Sequence, residues 1–417
     1  MLNYNQQRFY DLIISGQYHQ VLLTGEAGTG KTFTLTSALS ELYRMGQRVL
    51  LCAPTHLAKL NLKLKLDDDV RPFVPTKTVA SLLKQFGFIG TTGDTTFTNP
   101  VVEDLSSQWD VIAIDECSMV SEAAFQALQL CNCKIIYTGD FAQLPVVMSK
   151  KSTMEQCVNL IRVHFDEQMR QPGVIHTAAE RCRDAVVFPT ESVADDDSEI
   201  IVHETLSKMI ATYIGNLISD ERGKDAPIHH RFLTHRNATC DLVNSIAREQ
   251  FVGANVPFVV GEKILVSQTM HGAPVINGEV FTVSDVREDL AYPQIYNHPW
   301  RSYEVLPEGG SKYIRVIAPE DLYMVTERRD FLRERIKLAL HHRDEDAYQE
   351  YHQEAVFIQK KWLKVTYPYA MTIHKSQGQT IENVYVNTPE VYRASGKRAL
   401  LYVALSRASK SLHTVRV

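Results

Sequence analysis

At 417 residues the chain is too long for one ordinary core, and at about 100 to 200 residues per domain it should hold roughly two to four. Hydrophobic residues make up 44% and charged residues 22%, and no apolar run nears the roughly 20 residues that span a bilayer, which argues against a membrane protein. The net charge of −5 makes the whole-chain field mildly repulsive to nucleic acid, so any such binding must rest on a local basic groove.

The first residues, Met1 to Tyr10, lack the basic start, apolar stretch and small-residue cleavage site of a signal peptide, so a cytoplasmic location is expected. An apolar run, Gln20 to Thr24, then leads into Gly25-Glu-Ala-Gly-Thr-Gly-Lys-Thr32 and a helix-like period. That context makes the segment a P-loop. Gly25, Gly28 and Gly30 let the backbone around Thr29 wrap phosphate with its N–H groups inward, Lys31 can reach the β- and γ-phosphates, and the Thr32 hydroxyl can ligate Mg²⁺. ATP and Mg²⁺ are therefore the expected cofactors.

Strand-like and helix-like runs then alternate: Arg48 to Ala53 with Thr55 to Leu66, Val111 to Ile114 with Ser121 to Leu130, and Lys134 to Thr138. This alternation predicts an α/β fold with a parallel sheet covered by helices. Gly87 to Thr98 interrupts it and reads as an inserted hairpin. The strand at Val111 ends in Asp115 and Glu116, where the first carboxylate can hold Mg²⁺ and the second can orient an attacking water. After the next strand, Gly139-Asp-Phe-Ala-Gln-Leu-Pro145 puts the Gln143 amide where it can sense the γ-phosphate.

The acidic stretch Ala194 to Glu199 reads as a solvated loop near a domain boundary, and alternation resumes with Ile228 to Thr234 and Asn237 to Gln250. From Gly261 to Ile317 short strands and turns such as Asn277-Gly-Glu279 and Glu308-Gly-Gly310 predict a small β-barrel-like module. Pro319 to Tyr351 is a polar helical segment, too charged for a core helix and expected to project. The seven cysteines and fifteen histidines show no zinc spacing, so buried reduced thiols and no transition-metal site are expected.

Two segments at the far end, Thr372-Ile-His-Lys-Ser-Gln-Gly-Gln-Thr380 and Tyr402-Val-Ala-Leu-Ser-Arg-Ala-Ser409, have no role in a one-domain P-loop enzyme. Together with the P-loop, Ala53-Pro-Thr-His-Leu-Ala-Lys59, the Asp115–Glu116 pair and the Gly139 segment, they occur in the order of the superfamily 1 helicase motifs. The chain resembles that superfamily over most of its length, and within it the 5′→3′ (RecD-like, Pif1-like) group, especially its small phage members. Leu233 to Asn244, Gly261 to Val266 and Leu400 to Val403 extend the likeness.

The resemblance implies two RecA-like P-loop domains: 1–180 with a hairpin inserted at about 86–100, and 181–260 with 362–417. An SH3-like module carrying the helical extension is inserted in the second at 261–361. It also implies that Gln7 reads adenine, that Gly378 borders the nucleotide, and that Arg170 and Arg407 are arginine fingers acting when the cleft closes. Arg170 could instead be a surface salt-bridging residue.

DNA phosphates and sugars would be held by Thr55, His56, Lys59, Thr78, Thr372, His374 and Lys375, although any of these could cap a helix or pack internally. Phe86, Phe88 and Phe97 belong to the hairpin, where Phe97 either stacks on a base at the fork or forms the hairpin's own core. Two positions depart from the pattern: Ala80 stands where histidine is common, which puts one DNA contact in doubt, and Val146 replaces a second proline.

The implied function is an ATP-dependent DNA helicase moving 5′→3′ on single strands, of the phage replication or recombination type. It would act as a monomer on single-stranded and forked DNA, alongside a single-strand-binding protein or replication proteins. An RNA helicase, a translocase that does not unwind, and a RecD-like subunit of a larger complex stand as alternatives.

Overall fold

The computed structural model describes residues 2–85, 87–89, 95–144, 153–167, 169, 173–253, 255–268, 275, 277–289 and 296–417. The chain divides into two compact units: Met1–Phe86, Asn99–Glu204 and Ser376–Val417 form one, and Gly87–Thr98 with Thr205–Lys375 the other.

The first unit contains a parallel sheet whose strands lie in the order Thr76–Thr78, Val49–Ala53, Val111–Ile114, Lys134–Gly139, Gln20–Gly25 and Ile161–Phe165. Val49–Ala53 and Val111–Ile114 are buried throughout, as expected of strands covered on both faces. Because successive side chains point to opposite faces, Leu22, Leu50 and Ile112 join one core with Phe125 and Leu128 of the helix Glu122–Gln129. Val21, Leu23 and Leu51 join the other, with Phe9 and Ile13 of the helix Tyr4–Ser15 and Leu35 and Leu39 of the helix Lys31–Arg44. The carboxyl ends of Gln20–Gly25, Val111–Ile114 and Lys134–Gly139 therefore emerge side by side, the edge at which open α/β sheets bind ligands.

The same unit holds Ile381–Val386, Ala408–Val415 and Glu199–His203 as parallel neighbours, with Val193–Ala194 antiparallel at the margin. The acidic stretch is the exposed turn of that last pair, where Asp195 accepts the N–H groups of Asp197 and Ser198. The helix Lys397–Leu405 buries Leu400 to Leu405 and packs on the helix Val174–Asp184.

In the second unit His230–Thr234 pairs in parallel with Ala370–Thr372, beside the helices Leu206–Ser219 and Asn237–Phe251. The strand expected from Ile228 begins two residues later, because Ala226–His229, with Pro227 in its first turn, forms a short helix. An antiparallel sheet follows, in the order Ile314–Ile317, Ser302–Pro307, Val280–Glu288, Lys263–Gln268 and Lys364–Thr366. Val316 also bridges to Leu363, so the sheet's two ends approach each other. Gly278 and Gly309 take positive φ in the two turns read from the sequence.

The charged segment after this sheet differs from expectation. It is two helices, Leu322–His342 and Glu345–Lys361, joined where Arg343 adopts the left-handed conformation and Asp344 caps the second by accepting the Ala347 N–H. Val325, Leu332, Ile336 and Ala339 form a buried stripe facing Ala355 and Ile358, with Trp300 and Trp362 at its base. The charges occupy the other positions of the turn and hide that stripe in a composition reading.

Gly87–Ile89 pairs antiparallel with Thr95–Phe97, with Gly87 opposite Phe97, near the helix Glu345–Lys361. Phe86, Pro145 and Val146 lie outside the described residues.

Candidate functional site

The P-loop leaves the strand Gln20–Gly25, and its return into the helix Lys31–Arg44 is made by Gly28 (φ 92°) and Gly30 (φ 81°), values a side chain would resist. Gly25 meets a different demand: a Cβ there would sit 2.6 Å from the Phe165 carbonyl oxygen of the neighbouring strand. Thr29 is buried, and its hydroxyl donates to the Glu26 carbonyl at 2.9 Å, tightening the turn. Lys31 Nζ donates to the carbonyls of Gly25 (2.8 Å) and Glu26 (2.6 Å), so the ammonium sits inside its own loop. Burial lowers its pKa, against the raising effect of Asp140, Glu116 and Asp115.

Thr32 opens toward the second motif: its Oγ1 donates to Asp115 Oδ2 at 3.3 Å, and Thr138 Oγ1 donates to Asp115 Oδ1. Asp115 and Glu116 follow the strand Val111–Ile114, and Glu116 adopts a positive φ of 53° that costs a non-glycine residue on the order of 1 kcal/mol. Burial pushes the Glu116 carboxyl up, Asp115 adds to this, and Arg407 and Lys31 oppose it. Gly139 allows the close approach here, since a Cβ would lie 2.8 Å from Cys117 Sγ and 3.0 Å from its backbone nitrogen. Gln143 is buried, and its Oε1 has no hydrogen-bond partner among the described residues.

Arg407 follows the helix Lys397–Leu405. Its Nε donates to the Val403 carbonyl (3.0 Å), one terminal nitrogen to the Gln379 carbonyl (3.1 Å) and the other to Ser406 Oγ (2.9 Å). Gly378 turns the preceding segment at φ 77°, which brings its Cβ position 4.0 Å from Glu116 Oε1. Lys31, Thr32, Glu116, Gln143, Gly378 and Arg407 line one cavity of about 510 Å³. The sequence-predicted set is thus brought together, apart from Arg170, which lies outside the described residues, and Gln7.

Gln7 is corrected. Its side chain is on the exposed face of the first helix and donates to Asp11 Oδ1 at 2.8 Å. Gln6 takes the place against the loop: it is buried, its Nε2 donates to the Thr29 carbonyl at 3.1 Å, and its Oε1 accepts the Asn3 N–H at 3.1 Å. Asn3 returns a bond from its side chain to the Gln6 N–H, a capping box that fixes the rotation of the helix. Composition cannot say which of two adjacent glutamines turns inward; the Asn3 cap three residues earlier could have.

Sequence reasoning also missed a set of partners around the loop. Tyr402 OH donates to Asp140 Oδ2 at 2.6 Å and accepts the Ala27 N–H at 3.4 Å, while Arg183 pairs with Glu26.

The expected nucleic-acid residues fall in both units. In the first, Thr55 is exposed and caps the helix His56–Lys63 by accepting the Ala58 N–H at 3.2 Å, and Thr78 is buried and caps Val79–Leu82 through the Ser81 N–H at 3.1 Å. Both therefore have a capping role. Lys59 is half-buried, and burial lowers the pKa of His56. In the second, Thr372 is buried, Lys375 is exposed, and burial together with His235, its ring 5.9 Å away, lowers the pKa of His374. Phe97 takes its place in the hairpin strand Thr95–Phe97.

Comparison with known proteins bears on this arrangement. Residues 1–187 match the family described as AAA domain, and residues 367–415 match the UvrD-like helicase C-terminal domain. The chain is 24% identical to an uncharacterized protein of Acanthamoeba polyphaga mimivirus, over 99% of each chain. It is 24% identical to the ATP-dependent DNA helicase dda of Enterobacteria phage T4, over 94% of each. The fold is similar to that of Bacteroides Pif1 bound to single-stranded DNA, with TM-score 0.55 and 16% identity, covering all of this chain (100%) and 93% of that one. No helix among the described residues is long and apolar enough to cross a membrane.

Proposed function

We infer that the chain, a superfamily 1 helicase of the 5′→3′ group, is an ATP-dependent DNA helicase. One observation carries the reading: the P-loop, the Asp115–Glu116 pair, Gln143 and Arg407, drawn from opposite ends of the sequence, line a single cavity. An arginine delivered to the P-loop from more than 370 residues further along the chain suits a motor that links hydrolysis to movement.

The donor set fits Mg²⁺-ATP. Backbone N–H groups between Gly25 and Gly30 and the Lys31 ammonium suit the phosphates, and the Thr32 hydroxyl beside the Asp115 carboxylate offers the oxygens that Mg²⁺ prefers. Bound there, the metal would neutralise charge on the β- and γ-oxygens. Glu116, with its raised pKa, orients the attacking water and takes up its proton. Gln143 carries to the same cavity an amide oxygen without a partner among the described residues, and Arg407, with Arg170 as its partner finger, stabilises charge on the transferring phosphoryl.

The domain reading of the sequence extends to the rest of the chain: 1–180 as one RecA-like domain with its hairpin, 181–260 with 362–417 as the other, and 261–361 as an inserted SH3-like module. The Val316–Leu363 bridge supports the barrel-like closure of that module. Single-stranded DNA is gripped without base preference through Thr55, His56, Lys59, Thr78, Thr372, His374 and Lys375, and Phe97 meets the fork. The protein acts as a monomer in the cytoplasm, in phage-type replication or recombination, alongside single-strand-binding or replication proteins.

Strand displacement on duplexes with 5′ or 3′ tails, run beside ATPase assays with DNA or RNA, tests this directly. Unwinding of the 5′-tailed duplex and stimulation by DNA are expected. Unwinding only from a 3′ tail would overturn the polarity, stimulation by RNA alone would overturn the substrate, and hydrolysis without displacement would leave a translocase.

A further inference from the structure

The start of the P-loop is enclosed by a ring of polar contacts that involves none of the side chains assigned to the reaction. Tyr402, 2% exposed, and Asp140, 1% exposed, form its centre. The phenol has one proton, and the carboxylate Oδ2 at 2.6 Å takes it, which leaves the phenol oxygen to accept the Ala27 N–H at 3.4 Å. Asp140 uses its other oxygen to accept the Ala142 N–H at 3.0 Å, the turn that presents Gln143. That same oxygen faces an Arg183 terminal nitrogen at 3.9 Å, and the other terminal nitrogen of Arg183 pairs with Glu26, one residue before Ala27.

The ring thus closes through four elements: the P-loop, the segment after Lys134–Gly139, the helix Val174–Asp184 and the helix Lys397–Leu405. Its position has a mechanical consequence. Tyr402 precedes Val403, whose carbonyl holds Arg407 Nε at 3.0 Å, so the phenol oxygen is the point at which the support of Arg407 touches the backbone of the loop.

We propose that Tyr402 is a positioning residue for hydrolysis, its hydroxyl fixing the support of Arg407 against the P-loop through Ala27 and Asp140. The proposal rests on the reading of this cavity as the hydrolytic site. Losing the hydroxyl leaves ring packing intact and removes two hydrogen bonds, one to a carboxylate, so the effect should appear in turnover rather than in nucleotide binding.

The test uses the full chain. Wild-type protein is first assayed for ATPase activity stimulated by single-stranded DNA; no activity there would overturn the functional reading itself. Given activity, Tyr402→Phe should lower kcat about tenfold with KM for ATP within about twofold and an unchanged melting temperature. Single-turnover hydrolysis should then show that Tyr402→Phe costs nothing further in an Arg407→Ala background, because the hydroxyl acts through that arginine. An unchanged kcat would overturn the proposal, as would an equal loss in both backgrounds. A fall in kcat, nucleotide affinity and melting temperature together would assign Tyr402 to the fold alone.

Discussion

Thr32 Oγ1 lies 3.3 Å from Asp115 Oδ2, which brings the first residue after the P-loop lysine to the carboxylate that ends the strand Val111–Ile114. A hydroxyl and a carboxylate at this separation suit one hard divalent cation. Asp115→Asn is informative because the amide oxygen still accepts from Thr138, so the buried contact survives while the charge is lost. Hydrolysis should fall about 100-fold or more and require higher Mg²⁺, with melting temperature little changed. Normal turnover across a Mg²⁺ titration would remove Asp115 from the metal site.

Arg407 should separate binding from chemistry. Its guanidinium is anchored by Val403, Gln379 and Ser406 and lines the cavity with Lys31 and Thr32. Arg407→Ala is expected to bind nucleotide near normally and hydrolyse it at least about 10³-fold more slowly, the scale of an arginine finger. Fluorescent-nucleotide affinity and turnover measured on one preparation would show otherwise if both collapsed together.

The two glutamines of the first helix make opposite predictions. Gln6 is buried against Thr29 and Gln7 is exposed against Asp11. Gln7→Ala should leave KM for ATP and the preference for ATP over GTP unchanged. Gln6→Ala should raise KM for ATP several-fold, since its amide then no longer steadies the loop. Comparing the two KM values for ATP decides it, and a loss of preference on changing Gln7 would return the role to that residue.

How far the sequence disclosed all this follows from the range of each signal. The P-loop, Asp115–Glu116 and Arg407 were legible because their chemistry fixes residue type at short spacing, and strand alternation announced the parallel sheet. Gln7 was chosen in place of Gln6 because helix rotation depends on a cap rather than on the residue itself. The paired helices were read as one exposed segment because four buried apolar positions between Val325 and Ala339 are diluted by charge. The Arg183–Glu26 pair joins residues 157 positions apart, and no local pattern encodes such a contact.

Single-strand affinity should fall with salt. Each phosphate neutralised by a side chain such as Lys59 or exposed Lys375 releases counterions, giving a slope of log K against log salt of about −0.7 per contact on single strands. Lys375→Ala should weaken binding similarly on all sequences and flatten the slope by about that amount. Salt-independent affinity, or a strong preference among mixed sequences, would contradict phosphate-led binding.

The pair of helices should have its own acid sensitivity. Burial pushes the Glu354 carboxyl up, but hydrogen bonds from His298 and Arg328 outweigh it and hold the group at about 2. The bonds are short: His298 Nε2 lies 3.0 Å from Oε1, and Arg328 donates to both oxygens at 2.8 Å. A carboxyl whose pKa is depressed in the folded state stabilises fully above its unfolded value of about 4.5, and that contribution, on the order of 3 kcal/mol, is lost as pH falls toward about 2. Glu354→Gln should therefore lower stability at pH 7 by a similar amount and flatten the acid limb of the stability profile between about pH 4.5 and 2. Denaturant unfolding followed by tryptophan fluorescence is suited to this, because Trp300 and Trp362 belong to the same buried cluster. Parallel acid limbs in wild type and variant would show that Glu354 does not carry the linkage.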